Sequence, residues 1–240
     1  MRPVFRALAA VFLGGFVVSS AGAGEVSILG PLQTDADTQI SSSKNYTHLL
    51  DFGTAATTAV INGVTFTKAG TTGAGFTYAA TSGTLNDHPG NANTGVDPGT
   101  GINTLLTDMI YNGGNTPGGT ATLTLTGLTP GTQYDTRVYY RQWGAGDRSA
   151  NFSFDGDSLA PAQITVDEDA INDAFMLAYR FTADSGQVAI SLTQNNNNQS
   201  WHFYGVTNEV VPEPASVGLL GLSALGLLAR RRRCGSRPCR

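Results

Sequence analysis

Residues 120–128 read TATLTLTGL, and this strict alternation of leucine with threonine decides what the chain can build. A period of two puts Leu123 and Leu125 on one face of a strand and Thr122, Thr124 and Thr126 on the other, a dry face and a wet one. Between 24 and 211 sustained apolar spacing of 3.6 residues is nearly absent, while short alternating runs recur, parted by Gly, Pro, Asn or Asp. The predicted strands cover 26–30, 47–53, 59–69 with an Asn62-Gly63 turn inside it, 75–80, 120–128 and 133–143. Further along they cover 150–156, 162–167, 175–183, 186–194 and 200–210. Such a series predicts an all-β, two-sheet antiparallel sandwich over 24–209 rather than an α/β fold. One helix of two to three turns is expected over 102–111, where Ile102, Leu105, Leu106, Met109 and Ile110 keep helical spacing. The polar stretch LNDHPGNANTGVDPGT at 85–100 reads as loop.

Charge excludes one class of partner. The net charge of −4 hides an asymmetry, because eight of the fourteen basic residues lie near the two ends. From Glu25 to Val211 six basic face seventeen acidic side chains, a net of −11. Such a body repels nucleic acid, whose non-specific affinity needs lysine and arginine against phosphates. Both cysteines, Cys234 and Cys239, follow the last arginine run, so the body has neither a disulfide nor a thiolate metal site. Thirty glycines and 13% charged residues fit an extracellular, turn-rich β-protein.

The ends read as addresses. Arg2 and Arg6, an apolar stretch from Ala7 to Val18, and Ala21-Gly22-Ala23 form the three parts of a secretory signal peptide at 1–23, helical in its apolar part, with cleavage expected after Ala23. At the other end, Pro212-Glu213-Pro214 precedes an apolar run from Ala215 to Ala229 and then Arg230, Arg231, Arg232 and Arg233. Fifteen residues of helix span about 22 Å, less than the roughly 30 Å of a bilayer's hydrocarbon, so this short transmembrane helix is a weak anchor. The arginines fix its inner end by the positive-inside rule. The prolines keep Glu213 extended, the form a peptidase cleft binds. Residues 234–240 form a cytoplasmic tail, its cysteines reduced or palmitoylated.

Segment 210–233 resembles the PEP-CTERM sorting signal of Gram-negative bacteria, whose ordered parts are this motif, membrane segment and basic cluster. The resemblance implies export, transient residence in the inner membrane, and processing by an exosortase-type transpeptidase that delivers the chain to the cell surface or extracellular matrix. The body, through LTGLTPGTQYDTRVYYRQW at 125–143, RSANFSFDG at 148–156 and the closing WHFYGVTNEV, is similar to jelly-roll, galactose-binding-like carbohydrate modules. The phrase from Leu128 to Tyr134 also occurs in fibronectin type III domains, where the tyrosine pins a corner between sheets. A surface glycan or exopolysaccharide is the partner this resemblance implies.

Candidate contact residues are Arg141, Trp143, Asp147 and Arg148 in one segment and Trp201 and His202 in another. Tryptophan faces stack on sugar rings and arginine with aspartate bonds hydroxyls, while the alternative is that both tryptophans plug the core of the sandwich, where aromatic residues dominate. Asp155 and Asp157 resemble part of a calcium loop, so a structural calcium is an alternative to a plain turn; no other cofactor is indicated. His48, His88 and His202 are scattered without metalloprotease spacing, and no nucleophile motif is present. The expectation is a non-catalytic surface protein that binds carbohydrate or matrix. The rivals are a carbohydrate-active enzyme on the same scaffold and a purely structural matrix protein.

Overall fold

The computed structural model describes residues 24–55, 57–90, 95–112, 119–141, 148–159, 162–167, 173–195 and 200–212. The expected leader at 1–23, the membrane helix at 215–229 and the tail at 234–240 lie outside them. The early strands are β1 (Glu25–Leu32), β2 (Asn45–Phe52), β3 (Val60–Ile61), β4 (Val64–Thr65), β5 (Thr67–Ala69), β6 (Thr72–Gly73), β7 (Phe76–Ala80) and β8 (Leu85–His88). After helix α1 (Gly101–Leu105) come β9 (Met109–Asn112), β10 (Thr120–Thr126), β11 (Gln133–Arg141), β12 (Ser149–Asp155) and β13 (Ala162–Asp167). The last are β14 (Ala174–Thr182), β15 (Gln187–Gln194), β16 (His202–Phe203) and β17 (Gly205–Val210).

Two six-stranded sheets face each other, ordered β1-β14-β11-β17-β2-β5 and β13-β12-β15-β10-β7-β6. The all-β two-sheet sandwich read from alternation is what the chain forms. The core between the sheets takes Val138, Tyr140, Leu177 and Tyr179 from the first and Leu123, Leu125, Phe152 and Phe154 from the second. Tyr179 stacks on Phe181 with ring centres 4.7 Å apart, and Phe152 meets Trp201 edge-on at 4.9 Å. Aromatic pairs of this kind add about 0.5–1.5 kcal/mol each beyond area burial. The Tyr134 hydroxyl accepts the Thr129 N–H at 2.9 Å, closing the corner between β10 and β11.

A second apolar cluster lies on the outer side of the first sheet. Ile61, Phe66, Ile102 and Leu105, from the β3–β4 region and α1, pack on Tyr139, Met176 and Tyr204. The helix approaches so closely that a Cβ on Gly205 would stand 2.7 Å from Leu105 Cδ1, which makes glycine the residue β17 needs there.

Two expectations are corrected. The helix over 102–111 is only Gly101–Leu105, and Met109–Asn112 continues as β9. Met109 joins the outer cluster while Ile110 joins the inner core, and one helical stripe cannot serve two cores at consecutive residues. The loop at 85–100 opens with strand β8, because Leu85 to His88 pair with Asn112 to Met109.

Candidate ligand groove on the first sheet

On β11 the odd positions Asp135, Arg137, Tyr139 and Arg141 face away from the inner core, since Tyr134, Val138 and Tyr140 belong to it. Tyr139 lies under the covering layer. Beyond that layer the sheet is open, and a groove of about 210 Å³ runs over it. Glu25, Ser27 and Leu29 of β1 form one wall, Ala178 and Arg180 come from β14, Gln39 overhangs, and Asp135 and Arg137 make the floor.

Strand register sets the electrostatics. Asp135 stands opposite Arg180 on one side and Glu209 on the other. Arg137 Nη2 reaches Asp135 Oδ2 at 2.9 Å and Glu209 Oε1 at 3.1 Å. Lys44 extends the chain of charges through Glu209 at 2.9 Å, and Arg180 extends it through Asp135 at 3.1 Å. Burial alone would lower the Arg137 guanidinium, but Asp135 first, and Tyr139 and Glu209 after it, raise it above its ordinary range. Among the described residues, Arg137 Nε and Nη1 and Asp135 Oδ1 have no hydrogen-bond partner. Buried polar atoms are seldom left so. These atoms, with Glu209 Oε2, are buried beneath the floor, and their unmet donors and acceptors have the mixed character of a hydroxyl's own partners, which both take and give hydrogen bonds.

The covered end of the same face holds a different charged group. Asp51 is fully buried; its Oδ2 accepts the Ala59 N–H at 3.0 Å and meets Lys68 Nζ at 3.1 Å, while Lys68 also reaches Asp108 at 2.9 Å. Burial pushes the Asp51 carboxyl up to about 6 against the pull of the Ala59 N–H and Lys68. This group ties the segment entering β3 and the parallel strand β5 to the sheet, and Lys68 lines a separate cavity of about 230 Å³ beside His48 and Phe76.

The residues expected to touch a ligand are placed elsewhere. Trp201, 2% exposed, sits in the core 5.6 Å from the Tyr140 ring and offers no face to a sugar. His202 is buried in β16, opposite Tyr111. Arg141 is buried, its Nε donating to the Leu106 carbonyl at 2.7 Å and its guanidinium 5.2 Å from the centre of Tyr204. Arg148 Nη1 donates to the Ser200 carbonyl at 2.8 Å, which fastens β12 beside Trp201. These four side chains anchor the end of the sandwich away from the groove. Trp143 and Asp147 lie outside the described residues.

Asp155 is exposed at the end of β12, and Asp157 accepts two backbone N–H groups, from Gly24 and Leu159, both at 3.0 Å. Among the described residues no three His, Cys, Asp or Glu side chains converge on a point. Pro212 is exposed directly after Val211, whose N–H donates to the Gln133 carbonyl at 2.9 Å. Glu213, Pro214 and Arg230 to Arg233 lie outside the described residues. Sequence reasoning missed Asp135, Arg137, Arg180, Glu209, Lys44 and Glu25. The one signal in the sequence was charge at alternate positions of the aromatic run QYDTRVYYR.

Residues 210–233 match the PEP-CTERM protein-sorting motif, so the chain carries a sorting signal of that family in its C-terminal segment. No curated protein matches the chain. Among solved structures, the N-terminal modules of Clostridium thermocellum endo-1,4-β-D-xylanase 10B, complexed with xylohexaose, align at 16% identity and a TM-score of 0.37. That alignment covers 58% of this chain and 27% of that one. A module titled TmCBM61, bound to β-1,4-galactotriose, aligns at 9% identity and a TM-score of 0.40 over 58% of this chain and 90% of its own. The active domain of bacteriophage CBA120 tailspike protein 4 aligns at 13% identity and 0.36 over 57% and 20%. The chain therefore spans about a quarter of the xylanase chain it matches. Among the described residues no helix is long and apolar enough to cross a membrane.

Proposed function

We propose that this is an exported, exosortase-processed surface protein whose body, a jelly-roll type of sandwich over 24–209, is a non-catalytic module binding a hydroxyl-rich glycan in the groove over Asp135 and Arg137. The observation that carries the reading is the groove floor, where Arg137 Nε and Nη1 and Asp135 Oδ1 are buried without partners among the described residues. The exposed Arg180 stands at the wall, where its free donors can reach a ring hydroxyl while one nitrogen stays on Asp135. Binding rather than cleavage is favoured because Asp135, the carboxylate at the floor, is committed to Arg137 and Arg180, which leaves Glu25 on the wall as the one other carboxylate among the lining residues, without a second free acid to work with it. Delivery follows from the sorting motif at 210–233, which supports removal of the C-terminal segment and passage from the inner membrane to the surface or matrix.

One feature favours the structural rival. On the outer face of the second sheet Thr122 Oγ1 meets Ser191 Oγ at 2.8 Å and Thr120 Oγ1 meets Thr193 Oγ1 at 3.2 Å, a face of hydroxyls suited to packing in a matrix. The test is affinity electrophoresis of the full chain exported from a Gram-negative host, through gels holding a neutral xylan, a neutral galactan or a uronic-acid polymer. Retardation in at least one gel, weakened about 10- to 100-fold by Arg180→Ala, is expected, since a hydrogen bond to a charged group contributes about 1.5–3 kcal/mol. Release of reducing ends would make the protein an enzyme, and no retardation in any gel would leave the matrix reading. Mass spectrometry of the mature protein is expected to lack Arg240; an intact Arg240 would overturn the sorting step.

A further inference from the structure

We infer that Gly24 is the first residue of the mature chain and that its α-ammonium pairs with Asp157, so that removal of the leader fastens β1, the wall of the groove. Strand β1 lies at the edge of its sheet and, among the described residues, pairs with β14 alone. Its first point of attachment to the other sheet is the Gly24 nitrogen, which donates to Asp157 Oδ2 at 3.0 Å across 133 positions of sequence. Asp157 is itself held in place, because its second oxygen accepts the Leu159 N–H at 3.0 Å.

One further observation favours a cation at this spot, and another concerns the fit of the residue that carries it. Asp155, Asp157 and Asp184 all act electrostatically on the buried Tyr179 hydroxyl, and among the described residues none of the three has a lysine or arginine partner. In a chain with so few cations in its body, a terminal ammonium is an economical counter-charge. The fit of residue 24 is also narrow. A Cβ there would crowd the ring end of Tyr179, so a glycine suits this position beside Asp157.

The sequence places the required bond next to it. Ala21-Gly22-Ala23 has small residues where a signal peptidase reads them. Hydrolysis breaks the Ala23–Gly24 peptide bond; water supplies oxygen to the new Ala23 carboxylate and protons to the Gly24 amine. A neutral amide donor thereby becomes an ammonium, and a neutral hydrogen bond to Asp157 becomes a charge-assisted one, roughly twice as strong. Glu25, Ser27 and Leu29, which follow directly, form the groove wall, and this last consequence rests on the glycan-groove reading.

The full chain is exported from a Gram-negative host and its N-terminus sequenced; Gly24 is expected, and any other first residue overturns the inference. The thermal midpoint of the mature protein is then compared before and after acetylation of the α-amine alone, checked by mass. A fall of about 2–4 °C is expected, the shift that a loss near 1 kcal/mol gives a chain of this size. In Asp157→Asn acetylation is expected to change nothing, whereas the neighbouring Asp155→Asn keeps the wild-type response. Equal falls in wild type and Asp157→Asn would overturn the ion pair. None of these readouts uses a glycan, so failure here and failure of the groove are told apart.

Discussion

The two sheets have six strands each and share one core, yet their outer faces are opposites. On β10 buried and half-buried residues alternate, and the threonines meet water. On β11 every residue after Gln133 is buried. The outer face of the second sheet carries hydroxyls paired across strands, as Thr122 with Ser191. The outer face of the first carries Tyr139 beneath a covering layer and, beyond that layer's edge, the ion chain Lys44–Glu209–Arg137–Asp135–Arg180. A strand buried on both faces needs something to cover it, and where the cover stops, buried charge and a groove remain. At that boundary Arg137 keeps two buried donors without partners among the described residues.

The contrast breaks most readily at Arg137. Arg137→Met leaves Asp135 and Glu209 buried without their shared cation, and denaturant unfolding is expected to show a loss of about 3–5 kcal/mol. A loss under 1 kcal/mol would mean that the ion chain is solvated and the two outer faces are alike.

A smaller effect is expected at Asp51, under the cover of the same face. Its carboxyl lies near 3.8 in the unfolded chain and about 6 in the folded one. Between these values the folded protein holds a proton that the unfolded chain releases, so this group's contribution to stability is full below pH 4 and lost as pH rises through 6. The move from 3.8 to about 6 amounts to roughly 3 kcal/mol at most. Asp51→Asn should therefore flatten this part of the stability profile between pH 4 and 6, and identical profiles would show that the cover admits water. The smallest effect belongs to the second sheet. Thr122→Ala removes one exposed hydroxyl contact and is expected to cost about 0.5 kcal/mol or less in the same unfolding measurement.

Much of the sandwich was legible because alternation is local. The Asn62-Gly63 turn lies where its residues require, with φ of 49° and 79°, and the strand predicted over 162–167 has the observed bounds. The second half of the expected helix failed because Met109 and Ile110 face two different cores, and nothing in a single stretch announces a second core. The candidate site was less legible still. Trp201 and His202 drew attention by residue type, yet the aromatic ring serves the inner core and the imidazole lies in a short buried strand. Asp135, Arg137, Arg180 and Glu209 looked like ordinary polar residues of separate strands until antiparallel register set them side by side.

By itself the sequence determined the period of two, hence the all-β body, and it determined the C-terminal sorting motif, because both are properties of neighbouring residues along one chain. Tertiary structure decided which face each strand turns outward, how far the layer around α1 reaches, and which charges meet at its edge. Those depend on contacts between residues such as Asp135 and Glu209, 74 positions apart, whose separation along the chain says nothing about their separation in space.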